Sequence, residues 1–418
     1  MRIRHGPHGG SLRAAAGMSV AIALLAAACS SGAPASASAP AAPASAAPAS
    51  ASASAAPASA SAAPIKVGFF APETGFAAAD GASAFDAAKL AVDDINKAGG
   101  VNGQQITLVN YDDASDPKQA VTIATKLTTQ DGVAAVVSGS YSDQTLAAAS
   151  IFQRASMPML AAYAVNPGIP ATGKFISQQD FTGAVEGAAA AYAMVNDLKA
   201  TKVAIVAIQN DFGTSLVSGF TKEASALGAT IVATDYNQFG EKDFTPILQR
   251  DVSKGANGFF MAQYYSEGQQ FISNWNSLGL HLPLVGTEGI DSTTQFFQPV
   301  GAAANGLVFT SALNRDSTDP NVQAFLKAFA AAYGHAPDMV AATVYDAFMV
   351  LKQAMANGTS PDQIQAGIAA TKNFVGVTGT IQSYNGKGEV IKAVDLETIK
   401  GGQVHHYGEV TDPAIITP

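Results

Sequence analysis

Between Ile65 and Gly139 the chain alternates three short apolar runs with two helix-length segments. The apolar runs are Ile65–Phe70, Ile106–Tyr111 and Val133–Val137. They are too short for helices and rich in Val and Ile, which fits strands. The segments between them are an alanine-rich amphipathic stretch ending INKAGGVNG and a second stretch opening DPKQAV. This order predicts βαβαβ, the start of a parallel sheet covered on both faces. Asp116-Pro117 predicts a helix start, because Asp caps free N–H groups and Pro at the first helical position lacks only a donor that would be orphaned anyway. Gly99-Gly100 and Asn102-Gly103 supply the positive-φ positions that a chain reversal needs.

The same alternation continues. After Val137 come SGSYSDQT, a helix pattern to Ala155, and short strands at Met159–Ala161 and Phe175–Ser177. A helix is predicted from Thr182, as its cap, to Leu198. A second series follows, with strands at Lys202–Ile208, Thr230–Tyr236, Phe259–Met261 and Leu284–Gly286. Helices are predicted between them near Ser215–Leu227, Phe244–Lys254 and Gly268–Leu278. Two α/β series of similar size suggest two similar lobes. From Asn321 to Ala370 the chain reads as mainly helical. The tail (Thr380–Tyr384, Ala393–Ile399, Gln403–Tyr407) reads as short strands, with Asn385-Gly386 as a turn.

Five motifs stand in this order: IKVGFFAPETG, AVDDINKAGGVNGQQI, YDDASDPKQAV, FGEKDFTPIL and VGTEG. In these the chain resembles the leucine/isoleucine/valine-binding proteins of bacterial ABC importers, and the similarity spans nearly all of 65–418. The resemblance implies the type I periplasmic binding protein fold: α/β, with two similar lobes, each a parallel-sheet sandwich, joined by a three-strand hinge. It further implies that lobe 1 takes 65–184 and 312–375, and lobe 2 takes 185–311 and 376–418.

Composition adds the setting. The chain has 418 residues, 48% of them hydrophobic and only 13% charged, with a net charge of −9. About 350 residues beyond the leader and linker are enough for two packed lobes. No basic patch is visible to neutralise phosphates, which argues against a nucleic-acid partner. Residues 1–28 hold Arg2, Arg4 and Arg13 before an apolar run from Met18 to Ala28, too short to span a membrane. The run ends Leu25-Ala26-Ala27-Ala28, directly before Cys29, the single cysteine of the chain. This resembles a bacterial lipobox, with Ala26 where leucine is usual, and it implies lipidation of Cys29 as the mature N-terminus. Residues 29–64 then form a tether: after Cys29 they contain only Ser, Gly, Ala and Pro. With no large apolar side chain to bury, such a segment cannot offset its ordering entropy. Fully extended at about 3.1 Å per residue, it would reach on the order of 100 Å.

Open α/β sheets bind ligands beyond the C-terminal ends of their strands. The loops at those positions are Ala71–Ala79, Ser138–Gln144, Ala162–Asn166, Gln209–Gly213, Gln263–Glu267 and Thr287–Asp291. Ser142, just before a predicted helix, can seat a carboxylate beside free N–H groups, or simply cap the helix. Glu288 follows a strand directly and can pair with a cation. Of Tyr264 and Tyr265, alternation turns one to the core and one to the cleft, and Tyr265 is taken as the cleft residue. Phe76, Asn210, Asp211 and Phe212 are placed by loop position alone. The resemblance gives roles to several of these. The serine at the place of Ser142 holds an amino acid's α-carboxylate, the glutamate at Glu288 its α-ammonium, and a tyrosine lies over the ligand. The loop Ala162–Val165 (Tyr163, Ala164, Val165) presents backbone groups, with Val165 where a threonine hydroxyl is expected. Asp80 stands where an aromatic residue lines the side-chain pocket, and Asp143 has appeared beside the serine. Asp80 then either makes the pocket polar or caps a helix from about Gly81.

Enzymatic function is not expected. Gly139-Ser140-Tyr141-Ser142-Asp143 lacks the closing glycine of a nucleophile elbow. His281, His335, His405 and His406 stand in no triad context, and His405 and His406 would point to opposite faces of a strand. There is no P-loop, and neither a metal nor a cofactor is implied. The partners implied are a small amino acid or analogue, an ABC permease and a lipid anchor, with the protein a monomer outside the cytoplasm. Alternatives in the same fold are an amide, urea or aromatic-acid ligand, or signalling to a membrane receptor.

Overall fold

The computed structural model describes residues 63–418. The leader, the tether and Cys29 lie outside the described residues. The first sheet is built from β1 (Ile65–Ala71), β2 (Ile106–Asp112), β3 (Ala135–Ser138), β4 (Met159–Ala161) and β5 (Ile176–Gln178). All pair in parallel, in the order β2-β1-β3-β4-β5. Its helices are α1 (Ala78–Lys97), α2 (Pro117–Thr129) and α3 (Ser142–Arg154). Asp116 caps α2 as the sequence predicts, accepting from Lys118 N at 2.8 Å with Pro117 next in line. β1 sits between β2 and β3, so the chain reverses its winding direction there. The crevice at such a switch point opens between the loops that follow β1 and β3.

Thr182 accepts from Val185 N and caps α4 (Gly183–Tyr192). The predicted continuation to Leu198 is a π-helical turn at Ala193–Asp197. The second sheet begins with β6 (Lys202–Ile208), β7 (Thr230–Asn237), β8 (Gly258–Ala262), β9 (Leu284–Gly286) and β10 (Val308–Ser311). Its helices are α5 (Asp211–Ala226), α6 (Thr245–Ser253) and α7 (Tyr265–Ser277). α4 lies so close on α5 that a Cβ at Gly187 would collide with the backbone of Leu216 and Phe220. Glycine at that position lets the two helix backbones touch.

The chain then returns to the first lobe with α8 (Pro320–Tyr333), α9 (Met339–Met355) and α10 (Pro361–Ala369). The alanine face of α1 (Ala84, Ala87, Ala88, Ala91) is fully buried, and α1 packs on α9. A small sheet follows, of β11 (Lys372–Gly376), β12 (Gly379–Tyr384) and β13 (Val390–Ile391). The sequence expectation placed residues 376–391 with the second lobe. Instead Asp346 of α9 accepts from Val377 N, Thr378 N and Thr378 Oγ1 at 2.6–2.9 Å, and Gln178 N donates to Gly388 O. These bonds tie the small sheet to the first lobe. Only β14 (Val394–Lys400) and β15 (Gln403–Val410) join the second sheet, whose order is β15-β14-β10-β9-β8-β6-β7. β14 and β15 are antiparallel there, the common edge arrangement on a parallel sheet. The chain thus passes between the two sheets three times. β6 lies between β7 and β8, so the second sheet has its own switch point, with loops after β6 and β8.

Candidate functional site

The two switch points face each other, and the residues beyond their strand ends close on one cavity. The first lobe contributes Asp80 from the first turn of α1, Tyr141 and Ser142 after β3, Tyr163 after β4, and Met339 and Val340 at the start of α9. The second contributes Phe212 after β6, Tyr264 after β8, and Glu288 and Gly289 after β9. The lobes stand close: the space open to a water-sized sphere is ≈ 20 Å³, about one water.

Ser142 is the first residue of α3, and the extended Tyr141 before it caps the helix without a side-chain bond. The hydroxyl of Ser142 therefore does not cap. It accepts from Asn166 N at 3.3 Å and faces the cavity beside the helix's first N–H groups, which have no intrahelical acceptor. Asp143 turns away and accepts from Asp211 N across the lobes at 3.3 Å. Asn166 Nδ2 donates to Asp211 O at 2.8 Å, a second bond between lobes.

Asp80 is 4% exposed. The cap expected from it is absent, because α1 already starts at Ala78 and its N-cap is Ala77. Its Oδ2 accepts from the Tyr141 hydroxyl at 2.6 Å, while its Oδ1 has no donor. Burial, then the neighbouring charge of Asp338, holds this carboxyl well above the usual carboxylate range.

Glu288 begins a single 3₁₀ turn at the end of β9 and is 3% exposed. Its N–H donates to Glu186 Oε1 at 2.9 Å, which also accepts from the Thr310 hydroxyl at 2.6 Å. Its Oε2 has no donor. Burial, then the charges of Glu186 and Asp180, raises the Glu288 carboxyl well above its ordinary value. Burial likewise pushes Glu186 up to about 8. The cation beside this cluster is Lys392, itself buried, with Nζ 3.7 Å from Asp180 Oδ1. The same lysine also acts on Glu288, Asp346 and Asp395.

The tyrosine over the cavity is Tyr264, where Tyr265 was expected. Its ring lies parallel to that of Tyr141 across the lobes, with centroids 4.4 Å apart at 7°, and on its other side stacks on Phe212 at 4.6 Å. Tyr265 points elsewhere: its hydroxyl donates to Phe76 O at 2.8 Å, again between the lobes. Asn210 caps α5 and donates to the Tyr264 hydroxyl at 3.2 Å. Phe76 and Phe239 pack against each other at the rim with their rings tilted by 44°, both more than a third exposed. Tyr163 lines the cavity with its ring and donates to Gly139 O at 2.5 Å. Ala164 and Val165 do not line it. Their carbonyls accept from Gln178 Nε2 and Gly183 N, both at 2.6 Å, within their own lobe.

Residues 64–403 match the family model described as periplasmic binding protein. The chain is similar to the Leu/Ile/Val-binding protein of Citrobacter freundii, 30% identical over 258 residues, which are 62% of this chain and 70% of that one. Its fold is similar to a branched-chain amino acid transporter substrate-binding protein of Streptococcus pneumoniae solved with isoleucine. There the TM-score is 0.76 and the identity 28%, over 82% of this chain and 99% of the other. A leucine-binding protein of Thermotoga maritima gives a TM-score of 0.77 at 25% identity, over 84% and 99%.

Proposed function

Since the chain belongs to the periplasmic binding protein family, in the group that holds the Leu/Ile/Val-binding proteins, we propose that it is the solute-binding component of an ABC importer. In this reading it closes its two lobes over an amino acid, branched-chain or related. The observation that carries the reading is the pairing of Ser142 and Glu288 on opposite walls of one cavity. A hydroxyl at a helix N-terminus suits a carboxylate. A buried carboxylate with a free oxygen suits an ammonium. An α-amino acid presents both.

The cleft as it stands is too small for an amino acid, so the ligand enters with the lobes apart. It docks first on the lobe that carries Ser142 and Tyr163. Tyr264 and Glu288 then close from the other side, and their added contacts are what favour the closed state. The bonds Asn166–Asp211 and Tyr265–Phe76 form in the same step. The closed form is the surface offered to a membrane permease. An aromatic acid suits the cavity less well, because no basic side chain lines it and two carboxylates do.

The test is calorimetric titration of the full chain, freed of carried-over ligand by unfolding and refolding, against the common amino acids. Saturable one-to-one binding without turnover is expected. Silence across the panel would remove the amino-acid reading.

Lipidation at Cys29 would hold the domain outside the membrane on the tether. Cys29→Ala is then expected to move the protein from the membrane to the soluble fraction when expressed in a bacterium. If the variant still sediments with membranes, the anchor lies elsewhere.

A further inference from the structure

We propose that the ligand of this cleft carries a second positive charge, on its side chain, seated against Asp80. The inference rests on the amino-acid reading above and names the class of amino acid.

The cavity has two carboxylates, one on each wall, and each keeps one oxygen without a donor: Asp80 Oδ1 and Glu288 Oε2. Among the described residues no Lys, Arg or His lines it. Around Asp80 the imbalance deepens. Asp338 and Asp291 are both buried nearby and add to the repulsion on Asp80. The guanidinium of Arg315, which acts on Asp338, is already committed, with both of its terminal nitrogens on the two oxygens of Asp291. Asp338 has only the neutral donors Ser83 Oγ and Ala341 N. Among the described residues Asp80 therefore has the hydroxyls of Tyr141 and Ser292 beside it and no cation paired with it.

A zwitterion with an apolar side chain answers one carboxylate only. Its ammonium meets Glu288, its carboxylate meets Ser142, and its side chain is pressed against Asp80. Closing the lobes would then bury the Asp80 carboxyl against hydrocarbon with Oδ1 still unpaired, which is unfavourable for an unbonded polar group even when it is neutral. An ammonium or guanidinium at the end of the side chain answers the second carboxylate. It would sit beside Tyr141, whose hydroxyl already donates to Asp80 Oδ2 at 2.6 Å and leaves Oδ1 for the ligand.

The test is titration of the ligand-free full chain with four probes: lysine, arginine, norleucine and cadaverine. Norleucine has the lysine skeleton without its terminal ammonium, and cadaverine has both ammonium groups without the carboxylate. Lysine or arginine is expected to bind at least tenfold tighter than norleucine, and Asp80→Asn is expected to shrink that ratio by about tenfold. Norleucine binding as tightly as lysine and arginine would overturn the second charge and leave the amino-acid reading intact. Cadaverine binding while lysine does not would keep the second charge and remove the amino-acid reading. No binding by any probe would overturn both. The comparison within the wild-type chain decides the matter even if the Asp80 variant does not fold.

Discussion

Glu288→Gln is expected to weaken binding of the amino acid by roughly tenfold to a hundredfold. A hydrogen bond to a charged partner contributes about 1.5–3 kcal/mol, and each 1.4 kcal/mol is tenfold in affinity. The glutamine keeps the shape and can still accept a bond, so the loss reports the charge alone. A second signature separates this from simple damage. In the empty site, burial and the neighbours Glu186 and Asp180 hold the Glu288 carboxyl well above its usual range, which keeps a proton on it. The ligand's ammonium needs the carboxylate, so binding must expel that proton. Affinity then rises with pH until the empty site is itself ionised. The released proton is read in calorimetry, as a binding heat that changes with the ionisation enthalpy of the buffer. The variant should lose both the affinity and most of the buffer dependence. Unchanged affinity at neutral pH would remove Glu288 from the site. Lost affinity with an unchanged proton count would place the titrating group on Glu186 or Asp180.

Much of the frame was legible because its signals are local. Asp116-Pro117 and Thr182 cap the helices they were expected to cap, since a cap is decided within three residues. That Glu288 lines the cavity was legible because it stands two residues past the end of a three-residue strand, and strand ends point to the crevice. The choice between Tyr264 and Tyr265 failed for an equally local reason. Alternation of side chains holds only along a strand. β8 ends at Ala262 and Tyr265 already opens a helix, so the rule was applied two residues too far. The sequence leaves Asp80 as a pocket residue or a helix cap, and the cap alternative assumes that α1 starts near Gly81. Starting three residues earlier, at Ala78, puts it inside the first turn and turns it to the cleft. Met339 and Val340 line the cavity from the start of a helix some 250 residues after Asp80. No spacing rule joins such positions, because the three passages between sheets decide where they meet. The same holds for Lys392, which reaches Asp180 only because β13 and β14 return the chain to the centre of the molecule.

That buried centre makes stability depend on pH in an unusual direction. The unliganded protein is expected to melt at a lower temperature at pH 9 than at pH 5, by roughly 5–10 °C. Glu186 is pushed up to about 8 and Glu397 to about 9, in both cases chiefly by burial. Asp395 is raised to about 7 and Asp338 to about 6, again with burial as the first cause. For each, the folded value lies above that of the unfolded chain. Such a group contributes its full stability below the unfolded value, near 4, and loses it as pH rises through the folded value. The window therefore runs from about 4 to about 9, and stability falls across it. For Glu186 alone, a rise from the ordinary 4.5 to about 8 corresponds to on the order of 3–5 kcal/mol between the two ends. Lys392 beside Asp180 offsets a part of this. Glu186→Gln removes the titration and keeps an oxygen for the Glu288 N–H and the Thr310 hydroxyl. Its melting temperature should change less between pH 5 and 9 than that of the parent, with the gain greatest at pH 9. Parallel curves for the two proteins would mean that Glu186 does not carry the proton. A parent curve that rises from pH 5 to 9 would mean that the buried acids are ionised and paired in the folded state. The same scan with the amino acid bound joins the two effects. A ligand ammonium on Glu288 supplies the missing cation, so the alkaline loss of stability should shrink when the site is filled.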